Sequence, residues 1–425
     1  MPPSSTRAAA RSKTLRKSTS SLSDHEQANP ESAMIARTDS MASRAKAGES
    51  FTNEELDDVI NSLHNITPRD SSIDWEALRR LLREVAHLSH KQWEVTGANS
   101  DKMAKILTPD GLNSEASQIF ERILHEGNWD GALAYAKKKV DNDPKRQKKS
   151  AWAVLVTGVN GIRKTTAMYQ PWFAQALHEA LVPPSGMEIV DFDADSLPTG
   201  ENSFFRQLDH MICTLCNEDF SKLYALTSAQ LSNSDEDEDQ DPPKDLIQKY
   251  SNLKASIFSR YRTLSELLGV LLLKEAQNFN INVMCETSGR DVAMFHYLDH
   301  FFGSNYNKLA IHFKINDLTH AMESVDKRMV NEIKTGQRCL LDGDVFDVIY
   351  ANAGGPYGSE VLEDVQKDST RVWEEVSKGD GVGKDWYKAS FEIEAHESDP
   401  WTIRAVRPDG SYGTRFQFGE ARQVS

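Results

Sequence analysis

The chain of 425 residues has no long apolar run. Its longest, Leu267–Leu273, is far short of the roughly 20 residues a membrane-spanning helix needs. Such a span is therefore excluded. Cysteine is scarce: four in the whole chain do not make a disulfide framework, and a reducing, cytoplasmic setting is expected. Hydrophobic residues make up only 39%, which places the deficit in polar tails or insertions. A basic excess is missing too. The formal net charge of −15 argues against a generic nucleic-acid or anionic-membrane binder, so any cationic site must be local.

The charge that is present is unevenly placed. Residues 1–23 hold Arg7, Arg11, Lys13, Arg16 and Lys17 and no acid. Residues 1–50 are rich in Ser, Ala, Thr and Arg, and too poor in large apolar side chains to offset the entropy of ordering, so a disordered basic tail is expected. The lack of acids before Asp24 also fits an organelle transit peptide. Asp235–Asp241 reads DEDEDQD, within an acidic disordered insertion at 232–243.

Length allows two or three domains. Residues 51–149 read as a helical extension. Thr52 and Glu55 have capping-box spacing, and Leu78, Leu81, Leu82, Val85 and Leu88 recur at helical intervals. Further amphipathic stretches follow at 114–125 and 129–140, and the basic run Lys137–Lys149 reads as a solvated linker. Between 150 and 340 strands alternate with helices. AWAVLVTG, MEIVDFD, INVMCET and KLAIHFKI are the strands, with helices from Lys164 past Trp172, over 203–230, 245–277, 291–301 and 318–335. That order predicts an α/β fold, a parallel sheet with helices on both faces. Residues 341–425 read as a lid and a small antiparallel β-meander, with the glycine-rich Asn352–Gly358 either a plain turn or a lid or substrate loop.

The strongest motif is Gly158-Val-Asn-Gly-Ile-Arg-Lys-Thr-Thr166, which follows an apolar strand and opens a helix. That is the setting of a phosphate-binding loop. Gly158, Asn160 and Gly161 let amides turn inward, Lys164 can reach the β- and γ-phosphates of ATP, and the Thr165 hydroxyl, followed by Thr166, can hold Mg²⁺. Arg163 stands where the usual pattern has glycine. It either crowds the phosphates or adds a donor to them. Asp191, Asp193 and Asp195 end the next strand, where a carboxylate can take a proton from a hydroxyl or help hold Mg²⁺. Glu286, Ser288 and Arg290 end a later one. Glu286 stands where a Walker-B-type acid sits, and Arg290 can stabilise phosphate charge. His210, Cys213 and Cys216 share a helical face but lack a second cysteine pair at zinc spacing, so buried helix cysteines are expected.

With these residues in place the chain resembles the zeta-toxin family of P-loop kinases over residues 150–340. Its D-x-D-[ST] element matches Asp193-Ala-Asp195-Ser196, and its E-x-[ST]-x-R element matches Glu286-Thr-Ser288-Gly-Arg290. The resemblance implies a catalytic base at Asp195, aided by Lys164 and Arg290. It implies substrate contacts at Asp193, Glu286 and Ser288, and nucleotide-phosphate contacts at Arg328 and, with looser spacing, Arg338. Glu266 is its weakest match, to a substrate-binding acid. The implied reaction moves the γ-phosphoryl group of ATP, with Mg²⁺, to a hydroxyl of a small molecule, which in the family is UDP-N-acetylglucosamine. Two other readings stay open: a regulatory P-loop NTPase, and a non-catalytic relic in which Arg163 excludes the nucleotide.

Overall fold

The computed structural model describes residues 49–65, 73–85, 88, 93–107, 129–142, 150–184, 196–206, 208–231, 243–342, 348, 351–352, 354–378, 381–397 and 400–419. The basic tail, the stretch at 114–125, the acidic insertion and the Asp191–Asp195 carboxylates lie outside the described residues. Among those described, no helix is long and apolar enough to cross a membrane.

The helical extension forms from its own local signals. Helix α1 (Asn53–Asn65) starts at the expected capping box: the Thr52 amide donates to Glu55 Oε2 at 2.7 Å and the Glu55 amide to Thr52 Oγ1 at 3.2 Å. Helix α2 (Trp75–Val85) buries Leu78, Leu81, Leu82 and Val85 on one face. Helices α3 (Trp93–Leu107) and α4 (Trp129–Asn142) follow. In α4 the Lys137 ammonium lies 3.8 Å from the centre of the Phe279 ring. Part of the expected basic linker is therefore helix packed on an aromatic face.

The rest of the chain builds one seven-stranded sheet in the order β2-β3-β1-β4-β5-β6-β7. Its strands are β1 (Ala151–Thr157), β2 (Ser203–Arg206), β3 (Asn282–Glu286), β4 (Tyr306–Ile315), β5 (Tyr387–Glu394), β6 (Thr402–Val406) and β7 (Tyr412–Gln417). Strands β2, β3, β1, β4 and β5 run parallel, and β6 and β7 turn antiparallel. The helices among them are α5 (Lys164–Met168), α6 (Phe173–Ala180), α7 (Leu208–Leu215), α8 (Asn217–Leu231), α9 (Lys244–Asn278), α10 (Ala293–Phe301), α11 (Leu318–Asp342) and α12 (Leu362–Ser377).

Side chains alternate across the strands, so β1 feeds two cores. Ala151, Ala153 and Leu155 join a core shared with α1–α3 and α7–α10. Trp152, Val154 and Val156 join a second core with α5, α6, β5 and β6. The extension is thus packed into the first core against α9 and α10, with α4 reaching β2.

Two expectations are corrected and a third is extended. The helix opening at Lys164 stops at Met168 and restarts at Phe173. Pro171 lacks an amide proton, and its ring disfavours helical geometry at Gln170. The stretch from 203 begins as an edge strand, where Phe204 and Phe205 pair with β3 beyond the reach of helical periodicity. The expected antiparallel C-terminal meander is present as β5-β6-β7, and it continues the central sheet. Strand β5 lies parallel to β4 over Leu309–Ile315, buried along most of its length, so it belongs to the central sheet.

Helix α9 crosses the first core and carries a buried charge. Lys254 is fully buried and sits 2.6 Å from Glu332 Oε2 on α11, which also accepts a hydrogen bond from Tyr250 at 3.0 Å. Breaking such a pair leaves a charge stranded in apolar surroundings. Lys254→Met is expected to cost about 3–5 kcal/mol in urea unfolding, with most of it regained in Lys254→Met/Glu332→Leu. An unchanged midpoint in the single variant would refute this account.

Candidate phosphate-binding site

The site lies at the carboxyl ends of β1 and β3, where ligands settle in open α/β sheets. Parallel pairing puts Val156 opposite Glu286. Beyond the strands the pairing continues, with the Thr287 amide donating to Val156 O at 2.9 Å and the Gly158 amide to Ser288 O at 3.3 Å. The end of β3 is thereby pinned beside the loop that follows β1.

That loop is shaped by two glycines and two apolar pegs. Gly158 has φ +131°, and a Cβ there would fall 2.5 Å from the Phe313 carbonyl; Gly161 has φ +84°, and its Cβ would fall 2.6 Å from the Ala321 carbonyl. Neither position tolerates a side chain. Val159 and Ile162 are buried in the second core and hold the loop down. Arg163 takes the left-handed conformation itself, at φ 61° and ψ 30°. That geometry costs an L-residue about 1–2 kcal/mol. Its guanidinium carbon sits 4.2 Å from the centre of the Trp401 ring, a contact that offsets part of the strain.

Lys164 is 4% exposed, and its ammonium donates to Val159 O at 2.8 Å and pairs with Glu286 Oε1 at 3.2 Å. The Thr165 hydroxyl donates to the other carboxylate oxygen, Oε2, at 2.6 Å. One acid therefore holds both the loop cation and the loop hydroxyl. Glu286, which the resemblance expects to contact substrate, lies against Lys164 and Thr165.

Four segments converge around this centre. Arg290 donates to the Tyr357 hydroxyl at 2.7 Å, and Arg328 on α11 donates to the Gly355 carbonyl at 3.0 Å. The glycine-rich turn is thus bound to both arginines. Ser251 on α9 anchors the same turn by donating to Pro356 O at 3.1 Å. Asn160 is half-buried beside Gly355. Arg328 also lines a 370 Å³ cleft with Ser324, Lys327, Asn331, Thr335 and Ala351.

Other expected residues lie elsewhere or outside the described residues. Thr166 contributes to the short helix α5 only through its backbone, its carbonyl accepting from the Tyr169 amide. Arg338 is exposed, donates to Thr335 Oγ1 at 3.3 Å, and lies about 15 Å along α11 from Arg328. Asp193 and Asp195 lie outside the described residues. Glu266 is buried and paired with Arg262 at 3.2 Å. Cys213 and Cys216 are buried as expected, and burial pushes the Cys213 thiol far above the usual range.

Three residues near the loop escaped the sequence reading. Tyr357 sat in a noted motif without an assigned role. Asp209, on the first turn of α7, had no spacing signal. His312 on β4 lies behind the loop, its Nδ1 2.9 Å from Thr157 Oγ1 and its ring stacked on Trp373.

Burial, with Lys314 and Lys164 nearby, lowers the His312 pKa from 6.5 to about 3. The unfolded chain therefore takes up a proton near pH 6.5 that the folded chain refuses until about pH 3. Stability is expected to fall as pH drops through that window, by up to about 1.4 kcal/mol per pH unit from this group. Urea unfolding of wild type and His312→Asn at pH 7, 6, 5 and 4 checks it. The variant should show a shallower decline, and parallel curves would refute it.

Compared with family models, with curated proteins and with solved structures, the chain matches none. What the site can do therefore follows from its own geometry.

Proposed function

We propose that the chain is an ATP-dependent phosphotransferase of zeta-toxin type, moving the γ-phosphoryl group to a hydroxyl of a small molecule. The observation that carries this reading is the junction of Lys164, Thr165 and Glu286 at the paired ends of β1 and β3. The residues fit the groups they would hold. Gly158 and Gly161, both at positive φ, let the loop curl against the Phe313 and Ala321 carbonyls, the kind of backbone turn that can present amides to an anion. A hydroxyl and a carboxylate 2.6 Å apart are the hard oxygen donors Mg²⁺ prefers, and Mg²⁺ commonly takes its remaining ligands from phosphate and water.

When bound, ATP would supply the phosphoryl group and Mg²⁺ would neutralise charge on its β- and γ-oxygens. Lys164 would exchange Val159 O for phosphate oxygens while keeping Glu286 as counter-charge. Arg290 and Arg328 would add positive charge around the transferred group, which matters most when water is excluded. Asp195, by the resemblance, would orient the acceptor hydroxyl and take its proton. A nucleotide sugar such as UDP-N-acetylglucosamine remains the acceptor that the resemblance suggests.

The Asp193-Ala-Asp195-Ser196 element favours a kinase over a regulatory NTPase, which needs no base for a substrate hydroxyl. The relic reading requires Arg163 to obstruct the loop. Its stacking on Trp401 speaks for an open one.

Purified protein with Mg²⁺ is expected to show an ATP-dependent thermal shift. Lys164→Ala should abolish it, and Arg163→Gly should leave ATP affinity within about tenfold. A shift seen only in Arg163→Gly would establish the relic reading instead. Asp195→Asn should keep nucleotide binding and lose phosphoryl transfer by at least about 100-fold. Transfer at the wild-type rate would remove Asp195 from the chemistry.

A further inference from the structure

Arg290 differs from other cations around the phosphate site in its choice of partner. Lys164 is paired with Glu286, Lys254 with Glu332 and Arg262 with Glu266. Among the described residues no carboxylate pairs with Arg290. Its guanidinium donates to the Tyr357 hydroxyl at 2.7 Å, and the guanidinium carbon lies 4.9 Å from the centre of the same ring. Hydrogen bond and ring contact thus come from one side chain, and both are with neutral groups.

A neutral partner has a consequence. A carboxylate in that place would cancel much of the guanidinium's attraction for a third group. A phenol oxygen fixes the side chain and leaves its charge whole. The guanidinium has several N–H donors in a fixed fork, so one bond to Tyr357 leaves others for an anion. A long side chain held in advance has also lost its rotamer freedom before a ligand arrives.

Tyr357 can act as the anchor because its own chain is fastened on both sides. Before it, Ser251 on α9 donates to Pro356 O at 3.1 Å. After it, Ser359 donates to Asp326 on α11 at 2.9 Å, and Gln248 on α9 donates to Glu360 Oε1 at 3.0 Å. Arg290 is seated from its own side too. Gly289 has φ +74°, and a Cβ there would fall 2.7 Å from Thr157 Cβ, so the backbone leading into Arg290 lies directly on the end of β1.

We propose that Tyr357 is a positioning residue of the phosphoryl-transfer site, holding the Arg290 guanidinium in place and uncompensated before phosphate arrives. The assignment rests on the phosphotransferase reading above and deepens it. Charge developing on the phosphoryl group would meet a cation already fixed, so Tyr357 acts on the chemical step more than on nucleotide capture, which falls to Lys164 and Thr165.

The test follows label from γ-labelled ATP with Mg²⁺ into a small-molecule cell extract held at one concentration, using full-length protein. Tyr357→Phe keeps the ring and removes one oxygen, and its thermal midpoint without ligand should stay within about 4 °C of wild type. Its apparent kcat should fall about 10–100-fold while the KM for ATP stays within about twofold. Arg290→Ala should lose at least as much. Adding Tyr357→Phe to it should cost less than about twofold more, because the phenol acts only through the arginine. Arg290→Lys, which keeps the charge and gives up the fork, should show a similar fall and carries the test if Tyr357→Phe does not fold. Wild-type kcat in Tyr357→Phe (or in Arg290→Lys in its stead), a loss confined to KM, or a full further loss in the double variant would overturn the assignment and leave the phosphotransferase reading standing. Wild-type protein that labels nothing would remove both.

Discussion

A lysine ammonium buried to 4% exposure demands a counter-charge, and the site is organised around meeting that demand. Glu286 supplies it, and reaches Lys164 only because β1 and β3 are parallel neighbours in the register that sets Val156 against Glu286. The same carboxylate fixes the Thr165 hydroxyl. The sheet order, the glycine loop and the two buried cores together hold one acid opposite one lysine at the carboxyl ends of two interior strands.

The arginines form a second tier. Neither Arg290 nor Arg328 touches Glu286; both are bound to the turn around Gly355 and Tyr357. That turn is in turn anchored to α9 by Ser251, and by Ser359, which donates to Asp326 on α11 at 2.9 Å. The glycine loop after β1, the arginine side chains and the helices of the first core are therefore linked through a short glycine-rich segment. Such segments adjust to a ligand at little steric cost.

Much of this was legible in the sequence. The capping box at Thr52 and Glu55, the buried face of α2, the apolar β1 and the alternation of strands and helices each follow from local spacing, and the α/β sheet follows from them. Lys164, Thr165, Glu286, Arg290 and Arg328 were legible because their spacing repeats a known chemical arrangement. What was not legible depends on distant pairing. Phe204 and Phe205 become strand because β3 is beside them, and β5 joins the main sheet because β4 offers a free edge. Asp209 and His312 acquire meaning only when a turn or a strand some 150 residues away is laid against them. A glycine pattern reads loop conformation by proxy, and Arg163 adopts that conformation without the letter.

The contact between Arg163 and Trp401 joins a loop in the first half of the core to a residue about 240 positions further on. During synthesis the loop sequence emerges long before the strand segment that steadies it. Strand β1 likewise waits for β3 and β4, which are made more than 100 residues later. A chain still being translated therefore carries every letter of its phosphate loop while lacking its geometry. The loop gains its full set of contacts only once Trp401 has been made.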